Sequence, residues 1–231
     1  MVLEYEKIWR EKWLEDARGL LQWIEKRNKV PISLFIRHSH RKHSDDQEEL
    51  LNMRLTPRGH QAAVLFGTKI PKNKSVSIYH SEHPRCVETA ERIREGCIRS
   101  NISCSIEGPI RELLGPMVHS SIGHELVEYG IDGFINRWAR GEFPKTQIEP
   151  IRSYSTRLWE NTVGLQDTRS HEMHIHVSHD LVLMSVRCGI LSIEASQSNW
   201  IPFLGGFGVY QVSDQFKWYE KGKEYSVVEK H

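Results

Sequence analysis

Near the amino-terminal end, apolar residues recur at helical spacing: Ile8, Trp9, Trp13, Ala17, Leu20, Leu21 and Ile24, with Lys, Arg and Glu on the other faces. The spacing predicts an amphipathic helix from Glu4 to about Asn28, its tryptophans packing on the chain's own sheet. After Pro31 the pattern changes to Ile32-Ser33-Leu34-Phe35-Ile36, a short β-rich run suited to a strand buried on both faces of a parallel sheet. Residues 42 to 54 are polar and irregular. Thr56-Pro57 then reads as an N-cap with proline at the first helical position, predicting a helix to about Phe66. Ser75 to Tyr79 alternates like a second strand, and Ser81 reads as the cap of a helix with Pro84 in its first turn, running to about Ile98. Ser103 to Ile106 suits an edge strand. Residues 113 to 150 are rich in Gly, Pro and mixed polar positions and read as an excursion over the sheet. A helix from Arg152 to about Gln166, a strand from His174 to Ser178, a helix from Leu181 to Leu191 and terminal strands Gly208 to Val212 and Phe216 to Tyr219 complete the pattern.

Alternating strands and helices of this kind predict an α/β fold: a three-layer α/β/α sandwich with a mainly parallel central sheet. The chain of 231 residues is expected to form a single domain over 1–231, with 1–28 an N-terminal helix and 113–170 a cap segment over the active site. No internal repeat or low-complexity stretch divides it.

Composition narrows the function. Lys and Arg total 31 against 30 Asp and Glu, a formal net charge of +1, so no molecule-wide field draws the protein to nucleic acid or an anionic membrane. Any anion site must be local. The four cysteines, Cys86, Cys97, Cys104 and Cys188, form no CxxC pair, and the first residues carry charge where a signal peptide needs an apolar run. These features point to free thiols and a cytoplasmic setting, with neither a membrane nor a nucleic acid as partner.

Polar groups of a matching kind follow three of the predicted strands: Arg37, His38 and Arg41, then Ser81 and Arg85, then His179 and Asp180. The carboxyl ends of strands are where open α/β sheets place their ligands. Two arginines grip a phosphoryl group through paired hydrogen bonds, and a histidine among them is placed to bind or to attack phosphorus. The 13 histidines raise the question of a metal, but alternation puts His174 and His176 on one strand face and His179 on the other, which breaks the obvious triad. No metal and no cofactor is expected.

Leu34-Phe35-Ile36-Arg37-His38-Ser39 resembles the Arg-His-Gly signature of the histidine phosphatase, or phosphoglycerate mutase-like, superfamily. Ser81-Glu82-His83-Pro84-Arg85-Cys86-Val87-Glu88-Thr89-Ala90 is similar to its second motif, and Val177-Ser178-His179-Asp180 to its late histidine motif. Leu55-Thr56-Pro57-Arg58-Gly59 resembles the family's Leu-Thr-x-x-Gly helix start, and Arg111-Glu112-Leu113 the segment that supplies an acid/base glutamate in the mutase branch. Ser39 stands where the family has glycine. Arg41 and the His179-Asp180 pair look like the acid-phosphatase branch, whereas the short length and Glu112 look like the mutase branch.

The resemblance implies a phosphatase acting on a phosphate monoester of a small metabolite. Neutral His38 would be the nucleophile, with Arg37, Arg41, Arg85 and His179 on the phosphoryl oxygens and Glu112 or Asp180 as proton donor, Glu112 slightly favoured. A phosphomutase and a non-catalytic binder of phosphorylated ligands are the alternatives. The tryptophan-bearing N-terminal helix could serve as a homodimer surface, and Trp138, Arg140, Phe143, Arg152 and Arg157, with the segment from Trp200 to Gly206, are expected to wall the pocket.

Overall fold

The computed structural model describes residues 7–27, 29–43, 47–166 and 172–227. The chain enters through a short helical stretch at 7–9 and a 3-10 turn at Lys12–Leu14, followed by α1 (Glu15–Glu25). The expected single helix from Glu4 to Asn28 is therefore broken before residue 15, and its ends at 4–6 and 28 lie outside the described residues. Arg18 explains how the break is held: its guanidinium donates to the carbonyls of Trp9 and Glu11, the second of which also accepts the Leu14 N–H.

The remaining elements follow in order: β1 (Ile32–Arg37), a short α2 (Gln47–Asn52), α3 (Pro57–Thr68), β2 (Val76–His80), α4 (Pro84–Arg99), β3 (Cys104–Pro109), α5 (Gly123–Ala139), α6 (Ile151–Glu160), β4 (Met173–Ser178), α7 (Asp180–Leu191), β5 (Gly206–Val212), β6 (Gln215–Glu220) and β7 (Lys223–Val227). The described residues form one seven-stranded sheet in the order β3-β2-β4-β1-β5-β6-β7. β1 to β4 pair parallel with one another, and β5, antiparallel to β1, is followed by antiparallel β6 and β7.

Burial follows the two-residue period of a strand. Ile32, Leu34 and Ile36 of β1 and Met173, Ile175 and Val177 of β4 face one core with α1, α3 and α4, while Phe35 faces a second core with α5, α6 and α7. Helices thus cover both faces, giving the three-layer α/β/α arrangement with a mixed sheet whose central part is parallel. The tryptophans of the amino-terminal segment pack inward: Trp9 and Trp23 are buried, and Trp23 stacks on Tyr219 at 4.7 Å.

Several details depart from the sequence reading. Ser81 does not cap α4; the N-cap position is His83, and the Ser81 side chain is used elsewhere. The excursion after residue 113 contains the 17-residue α5, masked in sequence by Gly123, Gly130 and Gly133, with Gly130 at φ 67° breaking its helical course. α2 and β7 were not anticipated either, the first because its segment reads as polar and irregular.

α3 and α4 lie close because Gly67 and Gly96 face one another. A Cβ at Gly96 would stand 2.1 Å from the Val64 carbonyl oxygen, and one at Gly67 2.1 Å from that of Ile93. Replacing Gly96 by Ala therefore forces the helices apart, and unfolding in urea should show a loss of about 1–3 kcal/mol. A variant as stable as the parent would mean the contact yields freely.

Candidate active site

Two backbone hydrogen bonds draw three strand ends together. The His38 N–H donates to the Ser178 carbonyl and the Ser81 N–H to the Val177 carbonyl, both at 2.9 Å. Register puts Arg37 of β1 opposite Ser178 of β4, and His80 of β2 opposite Val177. Residues 37–41, 81–85 and 179–180 consequently share one end of the sheet, as the sequence reading expected.

His38 is buried, with Nδ1 2.8 Å from the Ser39 carbonyl oxygen. A carbonyl only accepts, so Nδ1 carries the proton and Nε2 keeps a free lone pair. Burial, then the positive charges of Arg37, Arg85 and Arg41, outweigh that bond and push the His38 pKa well below the usual histidine value. The imidazole is therefore neutral at pH 7. Ser39 fits the family's glycine position because its hydroxyl turns away, donating to the Gly59 carbonyl at 2.7 Å, while its N–H donates to Thr89 Oγ1.

His179 lies beside His38, their ring centroids 5.6 Å apart. An Arg85 Nη donates to His179 Nδ1 at 3.2 Å, and Nε2–H donates to Ser81 Oγ at 2.9 Å. The Ser81 hydroxyl thus fixes a histidine tautomer rather than a helix end. Burial first, then Arg85 and His38, keep His179 neutral as well. His83 adds a ring 5.0 Å from His179, a neighbour that the sequence motif contains but that its chemistry did not single out.

Asp180 supplies the carboxylate at the cluster, 2.7 Å from Arg37. Burial alone would raise its pKa, but Arg37, the Trp200 indole N–H at 3.1 Å and the Leu181 N–H at 3.0 Å overcome that and hold it below the usual value. Glu112 lies elsewhere: Arg157 binds its carboxylate at 2.5 Å and that of Glu149 at 2.7 Å. The two candidate donors therefore separate, with Asp180 paired to Arg37 and Glu112 held in an ionic cluster with Arg157 and Glu149. Arg41 stands close enough to lower the pKa of His38, Arg37 and Arg85, and its guanidinium donates to the Lys42 carbonyl at 2.7 Å.

The segment from Trp200 to Gly206 does wall this end of the sheet. Phe203 lies under Arg37, 4.2 Å from its guanidinium carbon, and 5.6 Å from the His38 ring. The wall residues expected from the excursion fare differently. Trp138 is buried in the second core with Phe143 packed nearby, Arg140 pairs with Glu142, and Arg152 is exposed. Cys86 is a buried thiol whose pKa burial pushes up to about 12, which makes it unreactive. A cavity of about 460 Å³ is lined by Lys42, Glu49 and residues 52–57, none of them a member of the His38 cluster.

An α/β sandwich with a neutral histidine among guanidinium groups at the carboxyl ends of its strands defines a phosphoryl-binding enzyme site. Residues 33–212 match the histidine phosphatase superfamily (branch 1), and the chain belongs to that superfamily. A comparison with curated proteins finds no match. Among solved structures the chain is similar to YhfR of Bacillus stearothermophilus, with 20% identity over 86% of this chain and 96% of that one and a TM-score of 0.52. It is also similar to phosphoserine phosphatase of Entamoeba histolytica (18%, 78% and 90%, 0.52) and to phosphoglycerate mutase of Bacillus anthracis (16%, 87% and 93%, 0.50). At these identities the likeness is one of fold. Superfamily membership carries a phosphatase or mutase type of function, that of a phosphoryl-transfer enzyme.

His38, His179 and His176 share a consequence for stability. His176 is completely buried, stacked between Phe35 and Tyr79, and burial pushes its pKa well below the usual value. Each of the three has a depressed folded pKa, so below about pH 6.5 the unfolded chain takes up protons that the folded chain does not. Stability is therefore full above that pH and falls as the pH drops. Replacing His176 by Phe should flatten the fall between pH 6.5 and 5 by up to about 1.4 kcal/mol per pH unit, read from urea midpoints. An unchanged slope would mean that His176 titrates alike in both states.

Proposed function

We propose that the protein is a phosphatase that hydrolyses phosphate monoesters of a small metabolite through a phosphohistidine on His38. The observation that carries this reading is the His38 imidazole, neutral and with Nε2 unprotonated, set among Arg37, Arg85 and His179. Nε2 forms the bond to phosphorus as the ester oxygen departs on the far side, and water then cleaves the P–N bond. The guanidinium groups neutralise charge on the equatorial oxygens, each such contact worth about 3 kcal/mol of barrier by analogy with an oxyanion donor.

The leaving alkoxide needs a proton, and Asp180 is the donor that the geometry supports better. Asp180 is ionised where Arg37 holds it. An incoming phosphate dianion competes for that guanidinium and places like charge beside the carboxylate. Both effects raise the Asp180 pKa, which produces the acid where the step requires it. No helix of the described residues is long and apolar enough to cross a membrane. The four free cysteines fit a reducing, cytoplasmic setting.

Two experiments test the reading. Rapid quenching with radiolabelled substrate should trap an acid-labile, base-stable phosphoenzyme that disappears in His38→Ala together with turnover; wild-type-like activity in that variant overturns the mechanism. Label appearing in a second organic ester instead of inorganic phosphate would mean a mutase. Asp180→Asn should slow hydrolysis of alkyl phosphates by about 10² to 10⁴ while sparing 4-nitrophenyl phosphate, whose leaving group needs no proton. That signature in Glu112→Gln instead would reassign the donor.

A further inference from the structure

One aromatic ring, that of Phe203, lies against the His38 imidazole, two more, those of His40 and Trp13, pack on Phe203, and the phosphoryl chemistry uses none of them. The Phe203 centroid lies 5.6 Å from that of His38 and 5.2 Å from that of His40. Trp13 continues the series at 5.7 Å from His40 and 6.3 Å from Phe203, its plane at 87° to the Phe203 ring. Trp13, His40 and Phe203 are each half-buried, so ring surface remains open to a ligand beside the nucleophile. Trp13 also precedes residues 33–212, the part matched by the family, so this corner is built partly from sequence that the superfamily match does not include.

The corner is held in place. The Trp13 indole N–H donates to the Glu11 carboxylate at 2.7 Å, Glu11 pairs with Arg58, and the Arg58 guanidinium carbon stands 5.8 Å from the Trp13 ring. Arg37 covers Phe203 in the same way at 4.2 Å. Those cations decide what can occupy the corner. A ligand ammonium would meet rings that already carry a guanidinium each, with further arginines close by, so a cationic leaving group is disfavoured. A flat neutral or electron-rich ring meets one wall face-on and the other edge-on, the arrangement that aromatic pairs prefer.

We propose that Trp13, His40 and Phe203 form a leaving-group subsite selecting phosphate monoesters whose alcohol carries a planar aromatic ring over those of short aliphatic alcohols. The proposal rests on the phosphatase reading and names the substrate class of that site.

Phosphonates, which cannot be hydrolysed at the P–C bond, separate recognition from turnover. By titration calorimetry, benzylphosphonate should bind the wild-type chain about tenfold more tightly than methylphosphonate. Trp13→Ala should bring the two within about twofold, and Trp13→Phe should restore most of the preference. Trp13→Leu keeps apolar bulk and replaces Trp13→Ala if that variant does not fold. Equal wild-type affinities, no binding of either phosphonate, or a preference untouched by losing the indole would each overturn the subsite. Phosphate release from benzyl and ethyl phosphate, whose alkoxides are of similar basicity, is measured in parallel. Absence of release while the phosphonate preference holds would end the hydrolytic reading and leave the subsite standing as a site for aromatic phospho-ligands.

Discussion

Everything at the site depends on the alignment of three parallel strand ends. The hydrogen bonds from His38 to Ser178 and from Ser81 to Val177 continue the sheet ladder one residue past its last regular pair. Those bonds form because β1 and β4 are buried along their whole lengths, where an unpaired backbone group would be costly. A one-residue slip would exchange the two faces of β1, moving Phe35 from one core toward the other and turning His38 to the opposite side of the sheet. The apolar sequence of β1 therefore positions His38 as much as the histidine's own contacts do.

With the ends aligned, charge does the rest. Arg37, Arg41 and Arg85 lie around one buried imidazole, and Asp180 is the carboxylate paired among them. A chain of nearly balanced charge thus holds a local excess of positive charge, offset in part by Asp180. Burial first, and that positive charge second, keep His38 unprotonated. Asp180 is tied into the same cluster through its ion pair with Arg37.

The sequence made legible whatever depended on local pattern and chemical type. The all-apolar run at Ile32–Ile36, the Thr56-Pro57 start and the arginine and histidine residues after three strands led directly to the sheet and to Arg37, His38, Arg85, His179 and Asp180. Roles decided by three-dimensional neighbours were not readable. Ser81 looks like any helix cap until His179 is seen bonded to it across 98 residues. Glu112 and Asp180 are equivalent carboxylates in sequence and separate only because Arg157 reaches one and Arg37 the other. The glycines of α5 hid a helix that tertiary packing of Phe134, Ile135 and Trp138 sustains.

Ser39 shows how a motif can change while its geometry persists. Glycine at that place leaves room for the phosphoryl group beside the backbone, and a side chain there would ordinarily intrude. Here the hydroxyl is drawn to the Gly59 carbonyl, and the backbone N–H is taken by Thr89, whose own hydroxyl donates to the Arg85 carbonyl. The turn after β1 is thereby tied to the start of α3 and to the first turn of α4, which carries Arg85. A serine in place of the motif's glycine thus links the loop bearing His38 to the helix bearing Arg85, so the protein's own hydrogen bonds set the spacing between the two.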